Sequence, residues 1–365
     1  MARRPFFQNV NVQIVEEPVK KVGAVGVDLN IGFVRTLRQG ELTVKATVAF
    51  YKPEIAFRDL EKQFPEIEFV YPNTLDELAL ELPETEILVI LGTMYNSQVA
   101  KLVIEQGKNI QWIQSTTVGV DAFLELGYPN QAILTKGTGI WDTSVAEHAL
   151  AFILALKRNI IELERVRQSR LWDRERLWGL MGSLAGKTVG IAGYGSIGKE
   201  IAKTLSGFDV KIIAYDQFPG VGDNRIAELF TKGEFPSFLK ECDVVILVMP
   251  YTKETEYIVD EEQFRCMKPS AILINVGRGK LVKESALVKA LERGQIAGAG
   301  IDVFEEEPLP STSKLWDLPN VILSPHCAAA GDNDLLNTCR LLKENLKRYL
   351  EGQELLYKVD RTQEY

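Results

Sequence analysis

Histidine is almost absent from this sequence. Only His148 and His326 occur, so a zinc site built from two or three histidines has nothing to work with. Cysteine is scarce as well. Cys242, Cys266, Cys327 and Cys339 include no C-x-x-C pair, which excludes a disulfide framework and fits a reducing compartment, the cytoplasm. No apolar run approaches the roughly 20 residues of a membrane helix. The longest, at 87–91, 244–249 and 271–276, are strand-sized. Residues 1–11 hold Arg3 and Arg4 with no apolar stretch behind them, unlike a secretory signal. Positive charge is not in excess either: 42 Lys and Arg against 50 Asp and Glu leave −8, the wrong sign for a nucleic-acid partner. No repeat of 20–50 residues and no low-complexity tract occurs.

What remains is 365 residues with 46% hydrophobic and 25% charged side chains, the composition of an ordinary globular protein of about two domains. Strand-like apolar runs alternate with helical patterns, the signature of parallel α/β units. Early strands are expected at 67–71, 87–91, 110–114 and 132–135, with helices at 75–82, after a Thr74 cap, and at 97–106. Residues 22–27 and 43–50 also look like strands, with Gly40 between them as a hairpin turn. One long helix is expected over 143–167. Residues 171–182, with Trp172, Trp178 and Leu180, read either as a loop packed on its own domain or as an arm buried in a second subunit. From Gly186 the alternation restarts. Strands are expected at 188–192, 211–215, 244–249, 271–275, 297–303 and 321–323, about six in a doubly wound sheet. Helices are expected at 197–205, 260–266 and 284–293, and a final one at 333–350.

Gly193-Tyr194-Gly195-Ser196-Ile197-Gly198 is a G-x-G-x-x-G in the required context. It closes a strand, opens an amphipathic helix, and is followed by a strand ending in Asp216, eighteen residues past Gly198. Gly193 would allow the tight turn, Gly195 the approach of a pyrophosphate, and Gly198 close helix–strand packing. Asp216 would accept hydrogen bonds from the adenosine ribose and repel the 2′-phosphate of NADP, so the expected cofactor is NAD. The alternative is a structural glycine turn beside a surface aspartate. Gly23-Ala24-Val25-Gly26 shares the glycines but not the spacing.

Ligands of open α/β sheets bind at the carboxyl ends of strands. Those ends offer Val276-Gly277-Arg278-Gly279, Phe304-Glu305-Glu306-Glu307-Pro308 and Ser324-Pro325-His326, so arginine, carboxylate and histidine fall on one edge of one sheet. These runs, with Gly298–Val303, Val145-Ala146-Glu147-His148, Pro250-x-Thr252-x-x-Thr255 and the stretch 115–121, resemble the D-isomer-specific 2-hydroxyacid dehydrogenase family. The separations agree, 29 residues from Arg278 to Glu307 and 19 from Glu307 to His326. The resemblance covers about 110–330.

It implies an α/β architecture of two Rossmann-like or flavodoxin-like domains, doubly wound parallel sheets with a cleft between them. Residues 1–137 plus 327–365 would form the substrate domain and 138–326 the NAD-binding domain, with hinges near 136–141 and 327–331. It also implies roles. His326 would be the general acid/base, Glu307 its orienting partner, and Arg278 the holder of the substrate carboxylate. The main chain of Thr117, Val118 and Gly119 would receive the other carboxylate oxygen. Asp302 would contact the nicotinamide carboxamide, and Pro250, Thr255 and Val276 would line the cofactor with the glycine loop. His148 reads as helix packing, and Cys327 as a bystander to His326 rather than a nucleophile.

The resulting expectation is NADH-dependent reduction of a small 2-oxo acid such as glyoxylate or hydroxypyruvate to the D-2-hydroxy acid, by a homodimer joined through residues 143–182. A formate dehydrogenase would carry an amide where Glu307 stands. A D-3-phosphoglycerate dehydrogenase is the nearer alternative, although the end at Tyr365 leaves no room for a C-terminal regulatory domain. A rival of another class is an NAD(H)-sensing corepressor of the C-terminal-binding type, which keeps the same arginine, glutamate and histidine.

Overall fold

The computed structural model describes residues 44–49, 55–218 and 223–361, all within the compact unit Thr36–Tyr365. Two parallel sheets organise them. The first contains β1 (Val44–Ala49), β2 (Ile67–Val70), β3 (Ile87–Ile90), β4 (Trp112–Ser115) and β5 (Ile133–Thr135), in the order β2-β1-β3-β4-β5. That is the flavodoxin-like order. The second contains β6 (Lys187–Ala192), β7 (Val210–Tyr215), β8 (Glu228–Phe230), β9 (Val244–Leu247), β10 (Ile272–Asn275), β11 (Gly298–Ile301) and β12 (Val321–Leu323), in the order β12-β11-β10-β9-β6-β7-β8. Its order reverses between β6 and β9, the switch point at which dinucleotides bind.

Central strands such as Ile87-Leu88-Val89-Ile90 and Val244-Val245-Ile246-Leu247 are apolar at every position because helices cover both faces of each sheet. The helix Asp142–Lys157 packs on β10, β11 and the helix Ser196–Leu205, burying Val145, Ala149, Phe152 and Ile153. Thr74 caps the helix Leu75–Glu81 in a reciprocal box with Glu77, worth about 1 kcal/mol.

The last helix, Asp334–Leu350, returns to the first sheet, where Leu342 and Leu346 pack with Val44, Phe57 and Trp112. The chain then adds a short antiparallel bridge, Thr135 to Lys358, beside β5. Together these give the five-stranded sheet a cover drawn from both ends of the chain.

Two expectations are corrected, and three helices and a strand pairing are added. The second sheet has seven strands, not about six, because Glu228-Leu229-Phe230 is too short to show a period. The helix expected over 143–167 is two, Asp142–Lys157 and Ile160–Gln168. They part at Asn159, whose left-handed φ of 48° ends the ladder, and the break is pinned by Arg158 Nη1 donating to the Gly182 carbonyl at 3.1 Å. The helices Ile55–Gln63, Asp121–Leu126 and Phe235–Glu241 escaped the sequence pattern. Finally, β1 pairs in parallel with β2 and β3, whereas 22–27 and Gly40 of the expected hairpin lie outside the described residues.

The stretch 171–182 carries one helical turn, Arg174–Trp178, and leaves Trp172 90% and Trp178 71% exposed.

Candidate active site

The glycine loop follows β6. Gly193 stands at φ 99° with its Cα facing the Met249 backbone, where a Cβ would sit 2.6 Å from the amide nitrogen, and a Cβ at Gly198 would collide with the Gly193 carbonyl. The protein itself therefore requires these two glycines. At Gly195, by contrast, a Cβ would meet nothing within 4 Å. The space kept there, at the amino end of the helix Ser196–Leu205, fits a pyrophosphate drawn by free N–H groups and the helix dipole.

Asp216, just past β7, accepts the Tyr194 amide on Oδ2 at 2.7 Å and the Phe218 amide on Oδ1 at 2.9 Å. Each oxygen has a second lone pair for a ribose hydroxyl, and the negative charge opposes a 2′-phosphate. Pro250 and Val276 sit just past β9 and β10. Thr255 is different: its hydroxyl donates to the Pro250 carbonyl at 2.9 Å and accepts from the Thr252 amide at 2.7 Å. It folds the loop from within and is 4% exposed.

His326 follows β12 and adopts a left-handed φ of 50°, a conformation that costs a non-glycine residue roughly 1 kcal/mol. Asp302 offsets that cost. Its carbonyl accepts the His326 amide at 2.8 Å, and its buried carboxylate takes the Ser324 hydroxyl and the amides of Cys327 and Ala328 at 2.9 and 3.0 Å. Asp302 was expected at the nicotinamide carboxamide. Instead both its carboxylate oxygens are turned inward on the histidine turn, and it is 1% exposed.

The imidazole Nδ1 lies 2.7 Å from Glu307 Oε2, while Oε1 of the same carboxylate accepts the Phe304 amide at 3.0 Å. Hydrogen bonding to Glu307 raises the His326 pKa above the ordinary histidine value. It outweighs burial, and the charge of Glu307 adds to it while that of Arg278 subtracts. Burial pushes the Glu307 carboxyl up, but the bonds to His326 and Phe304 and the nearby positive charges hold it below the usual carboxylate range. Arg278 is thus close enough for its charge to act on both partners. Of the three consecutive glutamates, Glu307 alone pairs with the imidazole. Glu305 instead accepts the Glu284 amide at 2.6 Å.

Arg278 follows β10. Its Nη1 donates to the Gly277 carbonyl at 2.8 Å, and its Nε and Nη2 both donate to Asp121 Oδ2 at 3.1 Å. Asp121 belongs to the first sheet's side, at the start of the helix Asp121–Leu126. The preceding loop, from the end of β4, is tied to itself. Thr117 donates its amide to Ser115 Oγ at 3.2 Å and its hydroxyl to the Gly119 carbonyl at 2.8 Å. Thr117 therefore withholds the amide expected of it. Among the described residues, the Val118 and Gly119 amides have no acceptor. The Arg278 guanidinium lies directly on Gly119, where any side chain would collide with it.

Residues not assigned to the site from the sequence complete this arrangement. Asp121 lay within the resembling stretch 115–121 but carried no assigned role. His148 does more than pack: its Nε2 is 3.0 Å from Ser324 Oγ, extending the Asp302 cluster to the helix Asp142–Lys157.

Residues 150–328 match the family model described as D-isomer specific 2-hydroxyacid dehydrogenase, NAD binding domain. A glyoxylate reductase of Pyrococcus furiosus is 34% identical over 314 residues, covering 82% of this chain and 90% of that protein. The chain belongs to the D-isomer specific 2-hydroxyacid dehydrogenase family. A D-3-phosphoglycerate dehydrogenase of Archaeoglobus fulgidus is 32% identical, the match covering 85% of this chain and 58% of that one. Among solved structures, a D-isomer specific 2-hydroxyacid dehydrogenase family protein from Aeromonas salmonicida superposes with a TM-score of 0.77 at 28% identity, covering 87% of this chain and all of that one.

The protein is accordingly an NAD-binding oxidoreductase of this family, and the glycine loop, Asp216, Arg278, Glu307 and His326 all fall inside the residues the family model matches. Among the described residues no helix is long and apolar enough to cross a membrane.

Proposed function

We propose that the protein reduces a small 2-oxo acid, with glyoxylate and hydroxypyruvate first in line, to the D-2-hydroxy acid, with His326 as proton donor. The observation that carries this reading is the imidazole held through Nδ1 by Glu307 at 2.7 Å, with the Arg278 guanidinium acting on the same pair. Glu307 fixes the ring and leaves Nε2 for the substrate oxygen. Arg278 and the free amides of Val118 and Gly119 take the carboxylate from opposite sides of the cleft. The glycine loop and Asp216 would hold NADH, which would supply the hydride. Oxidation reverses the proton transfer, with neutral His326 as base.

The glyoxylate reductases among the relatives support the substrate class, since the chain spans nearly their whole length. The match to a D-3-phosphoglycerate dehydrogenase makes 3-phosphohydroxypyruvate the informative second substrate. In this reading the substrate domain comprises 1–137 with 327–365 and the cofactor domain 138–326, the expected hinges falling at 136–141 and 327–331. The exposed Trp172 and Trp178 support pairing of two copies through 143–182, and four unpaired cysteines support a cytoplasmic setting.

NADH consumption across glyoxylate, hydroxypyruvate, phenylpyruvate and 3-phosphohydroxypyruvate tests the reading. Turnover of the smallest acids is expected. Tight NADH binding with no turnover of any of them would favour an NAD(H)-sensing role and overturn it. Light scattering of the wild type and of Trp172→Ala/Trp178→Ala tests the pairing, with dimer expected for the first and a shift toward monomer for the second.

A further inference from the structure

Arg278 and Asp121 stand on opposite sides of the cleft, 157 residues apart in sequence, and meet through a single carboxylate oxygen that takes both Nε and Nη2 at 3.1 Å. Nothing in the reading of Arg278 as substrate holder requires this carboxylate. We propose that Asp121 is a positioning residue that fixes the Arg278 guanidinium over Gly119 and ties the two sides of the cleft together while the substrate is turned over. The inference rests on the function proposed for Arg278.

Three observations carry it. The first is that the guanidinium is held on two edges at once, Nη1 by its neighbouring carbonyl and Nε with Nη2 by Asp121, so its plane is set before any ligand arrives. Its backbone is set too, since the Arg278 carbonyl accepts the Asn275 side-chain amide at 3.0 Å, and Asn275 is 1% exposed. The second is position. The pair lies on Gly119, whose amide and that of Val118 are free, so the carboxylate-binding donors on the two sides are brought into one place by this contact. The third is charge. Arg278 opposes protonation of His326, whereas Glu307 and Asp302 favour it. A carboxylate on Arg278 neutralises part of that opposition, so Asp121 acts on the proton donor through the arginine.

The side chains are about a third exposed, 32% for Arg278 and 39% for Asp121, so the pair's value lies in geometry more than in stability.

The test uses Asp121→Asn, with Asp121→Ser as a second replacement tolerated at a helix start, and Arg278→Ala alone and combined with each. Misplacement of a substrate-holding group by about an ångström costs on the order of 100-fold. Asp121→Asn is therefore expected to lower kcat/KM for glyoxylate by roughly 10- to 100-fold, mostly in kcat, with NADH affinity within about twofold. The falling alkaline limb of the rate profile should move to lower pH. On the Arg278→Ala background, Asp121→Asn should change the residual rate by less than about twofold, since partners in one contact are non-additive. A variant with wild-type kcat/KM, or with a lower KM at unchanged kcat, would overturn the proposal; the latter would mean that Asp121 competes with substrate for Arg278. Should Arg278→Ala itself retain wild-type turnover, the functional reading fails and takes this one with it. Inactive Arg278→Ala beside wild-type Asp121→Asn would remove the inference alone.

Discussion

The two sides of the cleft recognise their ligands in different ways. On the seven-stranded side the polar groups are side chains at strand ends: Asp216 after β7, Arg278 after β10, His326 after β12 and Glu307 between β11 and β12. On the five-stranded side the groups offered are mainly peptide amides, those of Val118 and Gly119, and the side chains there, Ser115 and Thr117, are spent on shaping the loop. A side chain can be exchanged by evolution one atom group at a time. A pair of free amides persists through any substitution that keeps the backbone. The chemistry thus concentrates on one side, and the other supplies a fixed receptor that reaches Arg278 through the Asp121 carboxylate.

Breaking the side-chain half should cost most. His326→Ala is expected to lower kcat by at least about 10²- to 10⁴-fold with NADH still bound, measured by stopped-flow turnover and by quenching of protein fluorescence. Retention of turnover would mean that another group moves the proton.

Glu307→Gln comes next. Its hydrogen bond is the largest cause of the raised His326 pKa, so the neutral amide should bring that pKa down. Reduction needs the protonated imidazole, and its rate is therefore flat at low pH and falls as pH rises through the His326 pKa. In Glu307→Gln the fall should begin at lower pH, with a maximal rate about tenfold or more below wild type. Oxidation should show the mirror image, its rise moving to lower pH.

Asp216→Ala probes the cofactor end of the same side. Loss of the ribose acceptor and of the repelling charge should reduce the preference for NADH over NADPH by roughly tenfold, read from the two kcat/KM values. An unchanged ratio would displace the ribose from this carboxylate. The smallest effect is expected on the amide side, where Val118→Ala should leave kcat/KM within about twofold, because only its side chain changes. A large loss there would mean that the five-stranded side also reads the substrate through side chains.

Legibility in the sequence followed the same division. G-x-G-x-x-G with an acidic residue at the next strand end is a local pattern with a local physical cause, and the structure repeats it: two glycines pressed on backbone, and one facing open space. Arg278, His326 and a run of three glutamates stood out because parallel strands put their carboxyl ends on one edge, and the family spacing singled out Glu307 among the three. Placing polar residues after apolar runs is thus already a statement about space. Asp121 was not legible as a partner of Arg278, because a contact across 157 residues leaves no period or spacing. Thr255 and Asp302 were assigned to the cofactor by the family resemblance, and no sequence pattern showed that their polar atoms are turned inward, since that depends on which neighbouring amides lack acceptors. The helix break at Asn159 was hidden for a related reason. Asparagine tolerates a left-handed φ without demanding it, and the anchor to Gly182 comes from a later loop.

The sequence alone determined the alternating α/β order, the place of the dinucleotide loop and the three polar groups on one sheet edge. Each rests on periodicity and on the rule that parallel strands end together. Tertiary structure decided which amides stay free and how the first sheet reaches Arg278. Those outcomes depend on distances between segments far apart in the chain, and such distances exist only once both sheets are packed.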